Sequence, residues 1–339
     1  MVFTRQIIVF STICALALAA CGGLAPTALP AEAAAVQPAD AEPSPSEAAT
    51  ATTAAEPAPA AWASQFPPLD AAPQDVEIPT ADGRILAGKY YPAKVNPAPV
   101  VVLMHWAVGD MTDWREVAPW LQNRADEAYR AGGLAKLAQV NGPWLDPSWF
   151  PAILPEASFG VLVFDYNGFG QSASSSNSDA WLQDSLAAVL FASTLEGADP
   201  NMIMAAGGSI GADGAVDGCY LFNELVTAGE AQGECIGALS LSPGNTLTRD
   251  FTYTEAVTAL SGDEHLVFCL AAEGDPFSAE TCLDAQADFS TAFIYAGAAH
   301  GMMLVDPTMQ PGQPAVDANA LELLLDLLAM ATGKPVAAE

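Results

Sequence analysis

Beyond residue 75 the chain alternates between two hydrophobic rhythms. Runs at 100–104, 161–164, 202–206, 236–241, 266–271 and 291–295 are apolar but for Ser240 and Thr291, and no longer than a buried strand. Such runs suit strands covered on both faces, as in a parallel sheet with helices above and below it. Ahead of them, 76–79 and 85–91 flank the turn residues Ala81, Asp82 and Gly83, which predicts an opening antiparallel hairpin. Helical patterns lie between the runs: 179–195, with Trp181, Leu182, Leu186, Val189 and Leu190 on one face; 210–227; and 315–330, rich in Leu. The alternation predicts an α/β fold with a doubly wound, mostly parallel eight-stranded sheet and helices on both faces.

The first 65 residues follow neither rhythm. An apolar run from Ile7 to Ala20 follows Arg5 and ends in Leu18, Ala19, Ala20 and Cys21. It is too short to span a bilayer and reads as a secretory signal peptide over 1–20. Its last four residues look like the lipobox of bacterial lipoproteins, which makes Cys21 the lipidated first residue of the mature chain and places the protein outside the cytoplasm, lipid-anchored to the bacterial cell envelope. Residues 21–65 are mostly Ala, Pro, Glu, Ser and Thr. That composition buries too little surface to offset chain entropy and predicts a disordered tether. Residues 66–339 are the length of one large α/β domain.

With Cys14 removed and Cys21 lipidated, Cys219, Cys235, Cys269 and Cys282 remain. An even number in an oxidising compartment predicts disulfides, and pairing 219 with 235 and 269 with 282 closes the shortest loops. No close cysteine pair or neighbouring His completes a zinc site. The 40 acidic residues against 10 basic give a formal charge of −30, which argues against nucleic acid as a partner.

One cluster carries chemistry. Directly after the 202–206 run come Gly207, Gly208, Ser209, Ile210 and Gly211, with a helical pattern beginning at once. A G-x-S-x-G between strand and helix is the setting in which a tight turn lifts a serine hydroxyl clear of the sheet. His300, in Gly-Ala-Ala-His-Gly after the last strand, is the best placed of three histidines to serve as its base. Asp275 follows the 266–271 strand and is the candidate acid to orient that imidazole, with Glu273 as alternative. The oxyanion hole would take the N–H of Ile210 and one from the loop after 100–104, with Ala107 preferred and Trp106 close behind. His105 reads as structural. The stretch 115–158, with Trp120, Trp144, Trp149 and Phe150, exceeds a simple crossover and reads as an insertion near the active-site edge.

On the His105 loop, the run Asp165-Tyr166-Asn167-Gly168-Phe169-Gly170-Gln171-Ser172, the Ser209 elbow, Asp275, and His300 with Gly301, the chain resembles the α/β-hydrolase superfamily from about Val76 to Met330. It is similar in particular to small esterases of the dienelactone hydrolase kind. The resemblance implies a Ser209–His300–Asp275 triad acting on a small ester-like molecule through an acyl-enzyme, without metal or organic cofactor. Trp106 departs from the glycine usual after the loop histidine, and Asn167 from the usual arginine. About 23 residues between Leu241 and Leu266 leave no room for a large cap domain. A peptidase or acyltransferase would use the same residues, and a binding lipoprotein without turnover is the reading from a different class.

Overall fold

A computed structural model describes residues 61–124, 149–172, 177–306 and 318–337. The signal peptide, Cys21, most of the tether, Trp144 and the centre of the insertion lie outside these residues.

The eight strands are β1 Gln74–Pro79, β2 Ile85–Tyr91, β3 Ala98–Met104, β4 Gly160–Phe164, β5 Ala198–Gly208, β6 Cys235–Leu241, β7 Leu266–Ala272 and β8 Ser290–Tyr295. They form one sheet in the order β1-β2-β4-β3-β5-β6-β7-β8. The β1–β2 hairpin joins antiparallel on β4, and every other pairing is parallel. Each predicted strand is present. β5 begins four residues before the apolar run because Ala98 of β3 pairs with Ala198 across a register shift.

Residues of the inner strands alternate between two core layers. Val100, Val102 and Met104 face a layer completed by α2 (Trp181–Ala192), α3 (Ile210–Thr227), α4 (Tyr253–Gly262) and α5 (Pro276–Asp284). Val101 and Leu103 face the other, completed by α1 (Val117–Gln122) and α6 (Ala320–Thr332). Burial of both faces explains why these strands read as apolar runs.

Three readings are corrected. The helix expected over 179–195 is a single 3₁₀ turn at Ser178–Ala180 followed by α2. The helix expected from 315 starts at Ala320, because Asn319 accepts from the N–H groups of Leu321 and Glu322 while the Glu322 side chain accepts from Asn319 N–H. That reciprocal cap sets the start more strongly than the leucine pattern. At the end of the expected tether, Trp62 stacks edge-on against Phe159 at 5.2 Å and donates its indole N–H to Pro335 O at 2.8 Å. Gln65 N–H donates to Asn96 O, so residues 61–65 lie against the domain.

The two disulfides join Cys219 to Cys235 and Cys269 to Cys282, with sequence separations of 16 and 13. The first ties α3 to β6, and the second ties β7 to α5 across the turn that carries Asp275. In the chain-entropy picture a cross-link closing a loop of this length contributes about 3 kcal/mol.

The insertion begins with α1, a short helix in which every residue but the half-buried Trp120 is buried. Trp120, Trp149 and Phe150 pack against the second core layer, Trp120 edge-on to Phe150 at 5.3 Å. These three aromatics contribute to the packing of that layer.

Candidate active site

Parallel pairing aligns the carboxyl ends of the central strands. Met104 lies beside Gly207, Gly207 beside Ser240, Leu241 beside Leu270, and Ala272 beside Tyr295. The segments that follow, carrying residues 105–109, Ser209, Asp275 and His300, therefore emerge along one edge. It is also where the strand order reverses around β3, the crevice in which open sheets of this class gather their ligands.

The turn after β5 is tight. Ser209 adopts φ 54°, ψ −115°, a sparsely populated conformation for any residue with a side chain, which costs of order 1–3 kcal/mol and persists only where the surroundings impose it. They do so here through contact. A Cβ on Gly207 would lie 2.1 Å from the carbonyl oxygen of Gly211, and one on Gly211 would lie 2.4 Å from that of Met104. The two outer glycines thus let strand and helix close on each other, and Ser209 N–H is held by Leu241 O at 2.8 Å.

Ser209, His300 and Asp275, remote in sequence, meet in one chain of hydrogen bonds. His300 Nε2 is 2.9 Å from Ser209 Oγ, and His300 Nδ1 is 2.7 Å from Asp275 Oδ2. An ionised carboxylate can only accept, so Nδ1 carries the proton and Nε2 is free to accept from the serine hydroxyl. Burial alone would raise the Asp275 carboxyl, but hydrogen bonding and charge from His300 outweigh it and hold the group below the usual carboxylate range. Although Asp275 stands at the N-cap of α5, its side chain makes no cap bond. Its partner is the imidazole. Glu273 is exposed, and its backbone N–H donates to Tyr295 O.

His105 is built into the loop. Its Nδ1 donates to Trp106 O at 2.7 Å and its Nε2 accepts from Tyr166 N–H at 3.0 Å. Burial pulls its pKa down to about 4, so it is a neutral linker. Asp165, from the run that carries the resemblance, accepts from Met111 N–H at 2.7 Å and Gln171 N–H at 2.6 Å. It thereby ties the far end of the 105–111 loop to the turn after β4. Ile210 is the first residue of α3, where a backbone N–H has no acceptor within its own helix. Trp106 and Ala107 follow β3 on the same edge.

Two buried acids were not singled out from the sequence. Asp213, in the first turn of α3, accepts from the N–H groups of Gly244, Asn245 and Thr246 and from the Thr246 hydroxyl, at 2.7–3.1 Å. It anchors the loop after β6 to the helix that follows Ser209. One turn on, burial and the neighbouring Asp213 push the Asp217 carboxyl well above its ordinary value. The available signal was an acid four residues after an elbow serine, on the face where the pattern calls for an apolar residue.

Against solved structures, the α/β hydrolase GrgF from Penicillium sp. sh18 superimposes with a TM-score of 0.51 at 12% identity, covering 77% of this chain and 99% of that one. The fold is that of the α/β hydrolases. The hyperthermophilic esterase of Pyrobaculum calidifontis matches with a TM-score of 0.46 at 14% identity, over 77% of this chain and 84% of its own. The Pyrococcus furiosus esterase Pf2001 gives 0.46 at 14%, over 69% and 84%. No protein-family model and no curated protein matches the sequence. Between β6 and β7, residues 242–265 contain one helix, α4.

Proposed function

We propose that the chain is a serine hydrolase that cleaves carboxylic esters of small molecules through an acyl-enzyme. The observation that carries this reading is the unbroken chain Ser209 Oγ–His300–Asp275 at 2.9 and 2.7 Å beside a helix N-terminus. Ser209 Oγ attacks the ester carbonyl while its proton passes to His300 Nε2. The developing oxyanion is met by the N–H of Ile210 and by that of Ala107, with Trp106 the neighbouring donor, and by the positive end of α3. His300 then gives the proton to the leaving alkoxide, and Asp275 stays ionised and stabilises the imidazolium. Water, deprotonated by the same Nε2, releases the acid and restores the serine. Every step is proton transfer and addition or elimination at carbon, which these groups supply unaided.

An alkyl fluorophosphonate should label the protein covalently at one site. Labelling and the hydrolysis of p-nitrophenyl acetate should both vanish in Ser209→Ala, whose unfolding temperature stays at the wild-type value. A folded wild-type protein that takes up no label would sink the proposal.

We also propose that the mature chain is a lipoprotein anchored through Cys21 outside the cytoplasm. The Leu-Ala-Ala-Cys sequence supports this, as do two disulfides, which persist in oxidising compartments. Intact-mass measurement of the membrane-extracted protein should give a chain starting at a diacylated Cys21. A mature chain cut elsewhere and lacking lipid would exclude it.

A further inference from the structure

We infer that Trp106 is the residue that sets acyl size, closing the space beside Ser209 so that the site accepts short acyl groups and rejects long ones. The inference rests on the ester-hydrolase reading and adds a substrate class to it.

The observation concerns Gly301, the residue after the candidate base. It has φ +58°, and a methyl built on it would stand 2.9 Å from Trp106 Cε3, 3.5 Å from Ser209 Cβ and 3.6 Å from Ser209 N. The indole and the stem of the nucleophile thus share the space of a single methyl group. Met302 fills the space beside Gly208: it is buried, and its N and Sδ lie 3.0 and 3.2 Å from where a Cβ on Gly208 would be. Trp106, half-buried, packs on the same core layer as Met302.

The loop that carries the ring is also fixed. Trp106 O receives His105 Nδ1–H at 2.7 Å and Gly109 N–H at 3.3 Å, and the loop is tied again at Met111 through Asp165. These bonds hold the backbone that carries the indole, and the ring itself is held by its packing on the second core layer and against Gly301, so it acts as a wall. Besides Ser209 Oγ and the oxyanion, the carbon of the tetrahedral intermediate bears two substituents, the leaving oxygen and the acyl chain. The leaving oxygen must face His300 Nε2 to receive its proton and then departs, whereas the acyl chain stays on Ser209 Oγ through the acyl-enzyme. A wall against the serine therefore acts on the acyl chain at every turnover, and hydrocarbon length is read by whether it fits.

The test compares kcat/KM for p-nitrophenyl acetate, butyrate and octanoate in wild type and Trp106→Ala, with fluorophosphonate labelling of each preparation. Wild type should favour acetate over octanoate by about 100-fold, and Trp106→Ala should narrow that ratio at least about tenfold. The ratio is the readout because loss of the indole also loosens the oxyanion loop and lowers all three rates together. Trp106→Phe, which keeps a ring in place, should give an intermediate ratio, and it carries the test if the alanine variant does not fold. A chain-length ratio unchanged in variants that still label overturns the acyl wall alone. A wild-type protein that does not label overturns the wall and the hydrolase reading with it.

Discussion

A His300→Ala variant is expected to lose about 10⁴-fold in kcat/KM towards p-nitrophenyl acetate, with an unfolding temperature close to that of wild type. The expectation follows from what this side chain touches. Its two ring nitrogens are spent on Ser209 and Asp275, and the side chain is 43% exposed, so truncation leaves neither a large cavity nor a buried orphan donor. What is lost is the acceptor for the serine proton and the donor for the leaving group. At neutral pH an unassisted hydroxyl is a poor nucleophile, and the residual rate comes from the oxyanion donors and binding alone. A loss of less than about tenfold, measured under conditions where both proteins are folded, would mean that His300 is not the base.

The second large effect is on stability. Gly207→Ala should destabilise the domain by about 3 kcal/mol or more, whereas Gly262→Ala should change stability by no more than about 0.5 kcal/mol. Both substitutions add one methyl group. At Gly207 it would sit 2.1 Å from the carbonyl oxygen of Gly211, and neither side can yield. Gly207 is paired with Met104 on one flank and Ser240 on the other, while Gly211 is itself pressed against the Met104 carbonyl. Relief would require α3 to move off the sheet, opening the layer it shares with α2 and β3 and displacing Ser209. At Gly262, the last residue of α4, nothing lies within 4 Å of the added carbon. Urea unfolding of the two variants beside wild type checks the contrast; equal midpoints would show that the elbow is less tightly packed than its geometry implies.

Much of this molecule was legible along the chain, for identifiable reasons. A strand buried on both faces is apolar at almost every position, so the runs of β3 to β7 announced themselves, and the edge strand β8 did so through its half-buried Ala292, Phe293 and Ile294. The elbow needs small residues on both sides of its serine because strand and helix nearly touch, and that requirement writes itself into sequence as Gly207-Gly208-Ser209-Ile210-Gly211. The cysteine pairs were readable because short loops close at little entropic cost. The helices α4 and α5 were not, being short, with start signals in the Thr252–Glu255 cap and in Pro276 that carry little hydrophobic pattern.

Other decisions belong to tertiary structure. Asp275 and Glu273 are two residues apart and chemically alike, so only the path of β7 and the turn after it determine which one reaches the imidazole. Trp62 reads as part of a polar tether until Phe159 and Pro335 arrive beside it. Asp213 in the helix looks like a misplaced charge until three amides of the loop after β6 converge on it. The indole of Trp106 acquires meaning only when Gly301, nearly two hundred residues away, supplies the missing methyl's worth of space beside Ser209. The sequence by itself determined which elements form and where reactive groups can stand, because those depend on local burial and backbone sterics. Which groups meet was decided by the three-dimensional path of the chain, because hydrogen bonds and close contacts act over a few ångströms whatever the separation along it.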